Sequence, residues 1–111
     1  MSKRNNQFLL EDIIEAISRI KDYSSNLTFE SFIEDQKTID AIVRNFEIIG
    51  EAANRLESDF KLTNADIPWL QLSDFRNRLI HEYFGVDLEI VWDIITLELD
   101  ELEWKIKDLE Q

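Results

Sequence analysis

Residues 39 to 53 read Ile39-Asp40-Ala41-Ile42-Val43-Arg44-Asn45-Phe46-Glu47-Ile48-Ile49-Gly50-Glu51-Ala52-Ala53. Ile39, Ile42, Val43, Phe46, Ile49 and Ala53 return every three or four residues with charges between them, which is one face of an α-helix and not the strict alternation of a strand. Leu56 and Phe60 continue the stripe, so the spacing predicts a helix from 38 to 59. Gly50 falls in its middle, where glycine costs up to ~1 kcal/mol of helix propensity. A glycine at such a place predicts that another helix approaches closely.

Outward from this segment the same period recurs. Phe8 or Leu9, Leu10, Ile13, Ile14, Ile17 and Ile20 predict a helix over 6 to 24, closing near Tyr23-Ser24-Ser25-Asn26. Thr28 is placed to cap a short turn through Phe32, and Asp35-Gln36-Lys37-Thr38 interrupts the chain before the long helix. On the other side, Asn64-Ala65-Asp66-Ile67-Pro68 reads as a turn, with Pro68 tolerated in the first turn of a helix from 68 to 84. Trp69, Leu72, Phe75, Leu79, Ile80 and Tyr83 form its apolar side. Gly85 supplies the stop and Asp87 the next N-cap. The last helix carries Leu88, Val91, Trp92, Ile95, Leu99, Leu102, Ile106 and Leu109 as one seam, with Ile90, Ile94, Leu97 and Trp104 as a second. A helix with two apolar stripes touches more than one neighbour, and another protomer is one candidate for the second. The expected fold is all-α, an up-and-down bundle of four to five helices, forming a single domain over 1 to 111.

Composition agrees with this. The 111 residues hold 44% hydrophobic side chains, enough for one packed core, and only two glycines and one proline. Cysteine is absent, which excludes disulfides and thiolate metal sites and fits a reducing interior. Acidic residues at 11, 12 and 15 break the first amphipathic segment, so it reads as neither signal peptide nor membrane span. The protein is expected to be soluble and cytoplasmic. The formal charge of −12 opposes a broad electrostatic footprint for nucleic acid, whose non-specific binding depends on Lys and Arg meeting phosphates. The acid is uneven, however. Residues 87 to 111 carry nine acids against Lys105 and Lys107, whereas 72 to 84 balance Asp74 and Glu82 with Arg76 and Arg78. A small site in the second region can hold a phosphate while the acidic remainder faces a protein partner.

That region, Arg76-Asn77-Arg78-Leu79-Ile80-His81-Glu82-Tyr83, contains the chain's single histidine. Histidine gives and takes a proton near neutrality, and the planar guanidinium of arginine matches phosphate. Together they point to phosphodiester chemistry. At about 100° per residue Asn77 and His81 share a helix face, so Asn77 can orient the imidazole, while Arg76 and His81 stand roughly 140° apart. Either the long arginine curls round the helix, or a second copy supplies the missing group. RNA cleavage without metal uses the 2′-hydroxyl as nucleophile and needs a base, an acid and a cation. One histidine cannot occupy both proton-transfer positions. Two motif helices meeting across a two-fold axis would bring two His81 and two Arg76 to one cleft.

The plainer readings are also available. A lone histidine near a helix end is what the helix dipole favours, Tyr83 fits a core-edge aromatic with its hydroxyl in water, and Arg78 fits a solvated charge. No His/Asp/Glu set stands at ligand spacing and no glycine-rich phosphate loop occurs, so neither metal nor cofactor is expected.

Arg76, four residues, His81, one residue, Tyr83 resembles the Arg-x4-His-x-Tyr motif of the HEPN superfamily, in its HepT-like toxin family. Residues 44 to 53 resemble that family's central helix, and Pro68-Trp69, the stretch 75 to 83 and Val91-Trp92 resemble its second half, so the likeness covers nearly the whole chain. The resemblance implies a homodimeric helical bundle and a metal-independent endoribonuclease whose catalytic pair is Arg76 and His81. It further implies a toxin neutralised by a minimal nucleotidyltransferase antitoxin that transfers AMP to Tyr83. Asn77 and Arg78 would then support the site and bind RNA. Two features depart from the family: Asp74-Phe75 stands where a small residue is frequent, and the acidity is high. The rival reading is a non-catalytic regulatory subunit of a two-component nucleotidyltransferase. A purely structural helical dimer is a third, and it leaves the crowding of Arg76, Asn77, His81 and Tyr83 unexplained.

Overall fold

The computed structural model describes residues 3–82 and 85–109, and among these it is entirely helical, with no strand. Helix α1 (Lys3–Ser24) ends where the Ser24 hydroxyl donates to the Ile20 carbonyl at 2.8 Å, replacing a main-chain partner at the helix terminus. Thr28 caps α2 (Phe29–Ile33): its hydroxyl accepts from the Ser31 amide at 3.2 Å, and the Ser31 hydroxyl accepts in return from the Thr28 amide at 2.9 Å. Asp35 caps α3 (Gln36–Arg55), accepting from the Thr38 amide at 3.1 Å and its hydroxyl at 2.7 Å. Those bonds hold the Asp35 carboxyl below its usual range, because they favour the charged form.

The long stripe does not stay in one helix. Leu56 turns to extended backbone, and a separate α4 (Ser58–Thr63) follows. The expected 38–59 helix therefore ends early, and six helices replace the four to five expected among the described residues. The break is held from outside. Asn6 on α1 donates to the Glu57 carboxylate at 3.1 Å and accepts from its amide at 3.4 Å, while the Lys61 ammonium donates to the freed Ala53 carbonyl at 3.2 Å. Phe60 moves to α4 and packs on Trp69, ring centroids 6.2 Å apart. Helix α5 (Trp69–His81) ends three residues before the expected boundary at 84, and residues 83 and 84 lie outside the described ones. Ile80, assigned to its apolar side, is exposed. Helix α6 begins as Leu88–Asp93, capped by Asp87 as expected, passes through a π-helical turn at Ile94–Glu98 and continues as Leu99–Leu109. In that turn the Leu99 amide bonds back to the Ile94 carbonyl, inserting one residue into the helical repeat.

Helix α3 is the centre of the packing. α1 and α5 lie against it, α2 bridges α3 and the first part of α6, and the last part of α6 runs along α1. Leu10, Ile13, Ile17 and Ile20 from α1 meet Ile42, Phe46, Ile49 and Ala53 from α3 in one buried cluster. Phe32 and Trp92 close one end of it at 5.1 Å. No helix among the described residues is long and apolar enough to cross a membrane.

α1 and α6 are also joined by charge, with the Lys21 ammonium 2.6 Å from Asp100 and 2.8 Å from Glu103. The hydrogen bond to Asp100, then that to Glu103, raises the lysine above its ordinary range. A group raised on folding contributes its full stability below the unfolded value and loses it as pH rises through the folded one. Lys21→Met is thus expected to lower the melting temperature at neutral pH, by an amount that shrinks above about pH 10.4. Melting curves of both proteins from pH 7 to 11 check this, and a constant gap would refute the assignment.

Candidate functional site

Arg76 owes its position to Gly50. A Cβ built on Gly50 would lie 2.2 Å from the Arg76 Cβ and 2.6 Å from the Leu72 carbonyl oxygen. α3 and α5 can therefore touch backbone to backbone only with no side chain at this point, as the mid-helix glycine predicts. Phe46 and Phe75 fix the register on one side of the contact with an edge-on pairing at 5.4 Å.

From this anchored base the Arg76 side chain runs out to a polar setting. Its Nη2 lies 2.8 Å from the Glu51 carboxylate on α3, and its Nη1 donates to the Asn77 side-chain oxygen at 2.9 Å. The guanidinium is thus held on two sides and still 31% exposed, so an incoming phosphate can reach it. Glu51 is the residue that sequence reading missed. The available signal was its place beside Gly50, since a glycine that admits a second helix also brings its neighbours against that helix.

The other expected residues are less gathered. His81 is the last residue of α5 and is exposed. The Asn77 oxygen, which the helical wheel aims at His81, accepts from Arg76 instead. Arg78 is exposed and 3.7 Å from Glu82, a loose surface pair contributing little. Tyr83 lies outside the described residues. One chain therefore presents a braced cation, Arg76, and an exposed imidazole, His81, at the end of the same helix. Among the described residues no three His, Asp or Glu side chains gather as metal ligands would.

A fixed guanidinium can neutralise a phosphate oxygen and an exposed imidazole can move a proton, which are two of the three functions phosphodiester cleavage requires. The third is a second proton-transfer group, which neither Arg76 nor His81 of one chain supplies.

Comparison with known proteins bears on this arrangement. The family model described as "Ribonuclease HepT-like" matches residues 13–109. A protein of Thermococcus cleftensis named "Probable ribonuclease HepT" is 39% identical over 109 residues, covering 98% of this chain and 99% of that protein. A protein of Methanocaldococcus jannaschii named as a "Putative RNase" is 39% identical over 114 residues, covering 99% of this chain and 94% of the relative. Another so named, from Caldanaerobacter subterraneus, is 37% identical over 102 residues, covering 92% and 91%. No solved structure matches the chain.

Proposed function

The chain belongs to the ribonuclease HepT-like family, and from that premise we propose that it is the toxin of a toxin-antitoxin pair, a homodimeric, metal-independent endoribonuclease. The observation that carries the reading is the bracing of Arg76 by Glu51 and Asn77 on a helix that ends in His81. In a dimer, two such helices line one cleft. One His81 takes the proton from the RNA 2′-hydroxyl, whose oxygen attacks the adjacent phosphorus. The other His81 delivers a proton to the departing 5′-oxygen, and Arg76 carries the charge that builds on the phosphoryl oxygens. The products are a 2′,3′-cyclic phosphate and a 5′-hydroxyl. Arg78 adds a cation for the strand on either side of the break.

The regulation we propose is AMP transfer from ATP to Tyr83 by a small nucleotidyltransferase antitoxin. Tyr83 follows His81 by two residues, so an added phosphodiester would place negative charge and bulk where RNA must enter.

Purified protein expressed without a partner is expected to cut RNA in the presence of EDTA and leave cyclic-phosphate ends. RNA left intact would favour the regulatory-subunit reading, and cleavage that stops on chelation would reject metal independence. On co-expression with a minimal nucleotidyltransferase antitoxin, intact mass is expected to rise by whole adenylates, and not in Tyr83→Phe. A rise retained in that variant would move the modification elsewhere.

A further inference from the structure

The outward strip of α3 carries Asp40, Arg44, Glu47, Ile48, Glu51 and Arg55. Their spacing of three and four residues places them on one side of the helix, away from the face that holds Gly50 and Phe46. Asp40, Arg44 and Arg55 are exposed, and the other three are partly so. Arg44, Ile48, Glu51 and Arg55 also line a shallow groove with Leu9 and Asp12 of α1.

The charges on this strip have a particular order. Read forward from Asp40 they run negative, then positive at Arg44. Read backward from Arg55 they run positive, then negative at Glu51. The midpoint falls between Glu47 and Ile48. A strip with that order is complementary to itself when a second copy is laid antiparallel across a two-fold axis. Asp40 then faces the partner's Arg55, Arg44 faces the partner's Glu51, and Glu47 faces the partner's Ile48, these last two flanking the axis.

We infer that this strip of α3 is the isologous interface of the homodimer, with Asp40–Arg55 and Arg44–Glu51 pairs formed twice across the axis. The inference rests on the dimeric reading above and names the surface that makes it. The contacts within one chain permit it. The Arg44–Glu47 pair is loose at 3.5 Å, Glu51 meets Arg76 through Oε2 and so has a second oxygen for the partner's Arg44, and Asp40 accepts from Gln36 of its own chain at 2.8 Å through Oδ1. The row formed by the partner's Arg44, Glu51 and Arg76 carries the interface directly into the candidate site. The axis also passes at the level of Arg76, which packs on Gly50 close to the midpoint.

The competing surface is the exposed pair Leu97 and Trp104 on α6. It is flanked by Asp100 and Glu101, with Asp108 one turn further on. Asp100 is paired within the chain by Lys21 at 2.6 Å and Glu101 by Lys105 at 3.3 Å, so charge at this patch neither opposes a second copy nor sets its register.

The test uses Asp40 and Arg55, which lie outside the Arg76 cluster. Sedimentation equilibrium is run on the full chain, on Asp40→Lys, on Arg55→Glu and on the double swap, with RNA cleavage assayed in parallel. The wild type is expected to be dimeric. Each single reversal creates two like-charge contacts and is expected to weaken the dimer roughly tenfold or more, and the double swap to recover most of that loss. Circular dichroism confirms that each variant keeps its helices. A monomeric wild type, single reversals without effect, or a double swap no tighter than either single variant would overturn the interface. Cleavage that depends on His81 while the swap fails would leave the ribonuclease reading standing. Swap behaviour as expected without cleavage would do the reverse.

Discussion

His81→Ala is expected to lower RNA cleavage by about a thousandfold while leaving helicity and assembly unchanged. A positioned general acid or base contributes typically ~10²–10⁴ in rate. In a two-fold dimer the substitution removes both proton-transfer groups at once, which places the loss in the middle of that range or above. Structural damage is not the expected cause. His81 is the exposed final residue of α5, outside the buried cluster of the core, and the helix end is still closed by the Glu82 amide bonding to the Arg78 carbonyl at 2.8 Å. Initial cleavage rates, with circular dichroism and sedimentation as controls, decide it. A variant cutting within about twofold of wild type would remove the imidazole from the chemistry.

Gly50→Ala is expected to destabilise the fold by about 1–2 kcal/mol and to disable the site as well. Two effects oppose each other. Alanine gains up to ~1 kcal/mol of helix propensity, whereas overpacking a tight contact costs ~1–3 kcal/mol or more. The second prevails because of what the new methyl would meet. The Leu72 oxygen at 2.6 Å is backbone and the Arg76 Cβ at 2.2 Å is fixed to backbone, so no side-chain rotation gives room and α3 and α5 must separate. Separation carries Arg76 away from Glu51 and loosens the Phe46–Phe75 contact. Chemical denaturation should show an earlier midpoint, and cleavage should fall further than the loss of folded protein explains. A variant as stable and active as wild type would mean that the close approach does not position the site.

The sequence announced α3 clearly because its apolar residues repeat at the helical period and Asp35 can cap it. Thr28 and Asp87 were legible for the same local reason: each accepts hydrogen bonds from an amide two or three residues ahead. The break at Leu56 was not legible. Leu56 and Phe60 keep helical spacing across it, and the groups that hold it include Asn6, 51 positions in the chain from its partner Glu57. Nor could spacing reveal the π-helical turn in α6, since an inserted residue changes the register of backbone bonds without changing residue types.

The site divides along the same line. Arg76 and His81 stood out by residue type, and Gly50 marked a close contact without naming what it would meet. That the contact is Arg76, and that Glu51 therefore pairs with it, depends on how α3 and α5 are set against each other across 25 residues. The Asn77 side chain shows the limit of helical-wheel reasoning. Its spacing aims it at His81, yet its oxygen bonds to the guanidinium next to it in sequence, because Arg76 is already drawn to that side by Glu51.

The claim on which the rest depends is that two copies share one cleft, and mixing wild type with an inactive variant tests it. His81→Ala chains keep the cation and lack the imidazole, so a heterodimer with wild type holds one imidazole where the reaction needs both a base and an acid. As subunits exchange with excess His81→Ala, activity per wild-type chain is therefore expected to fall well below that of wild type alone. Activity per wild-type chain that stays unchanged, with heterodimers shown by native mass spectrometry to be present, would contradict a cleft built from both copies.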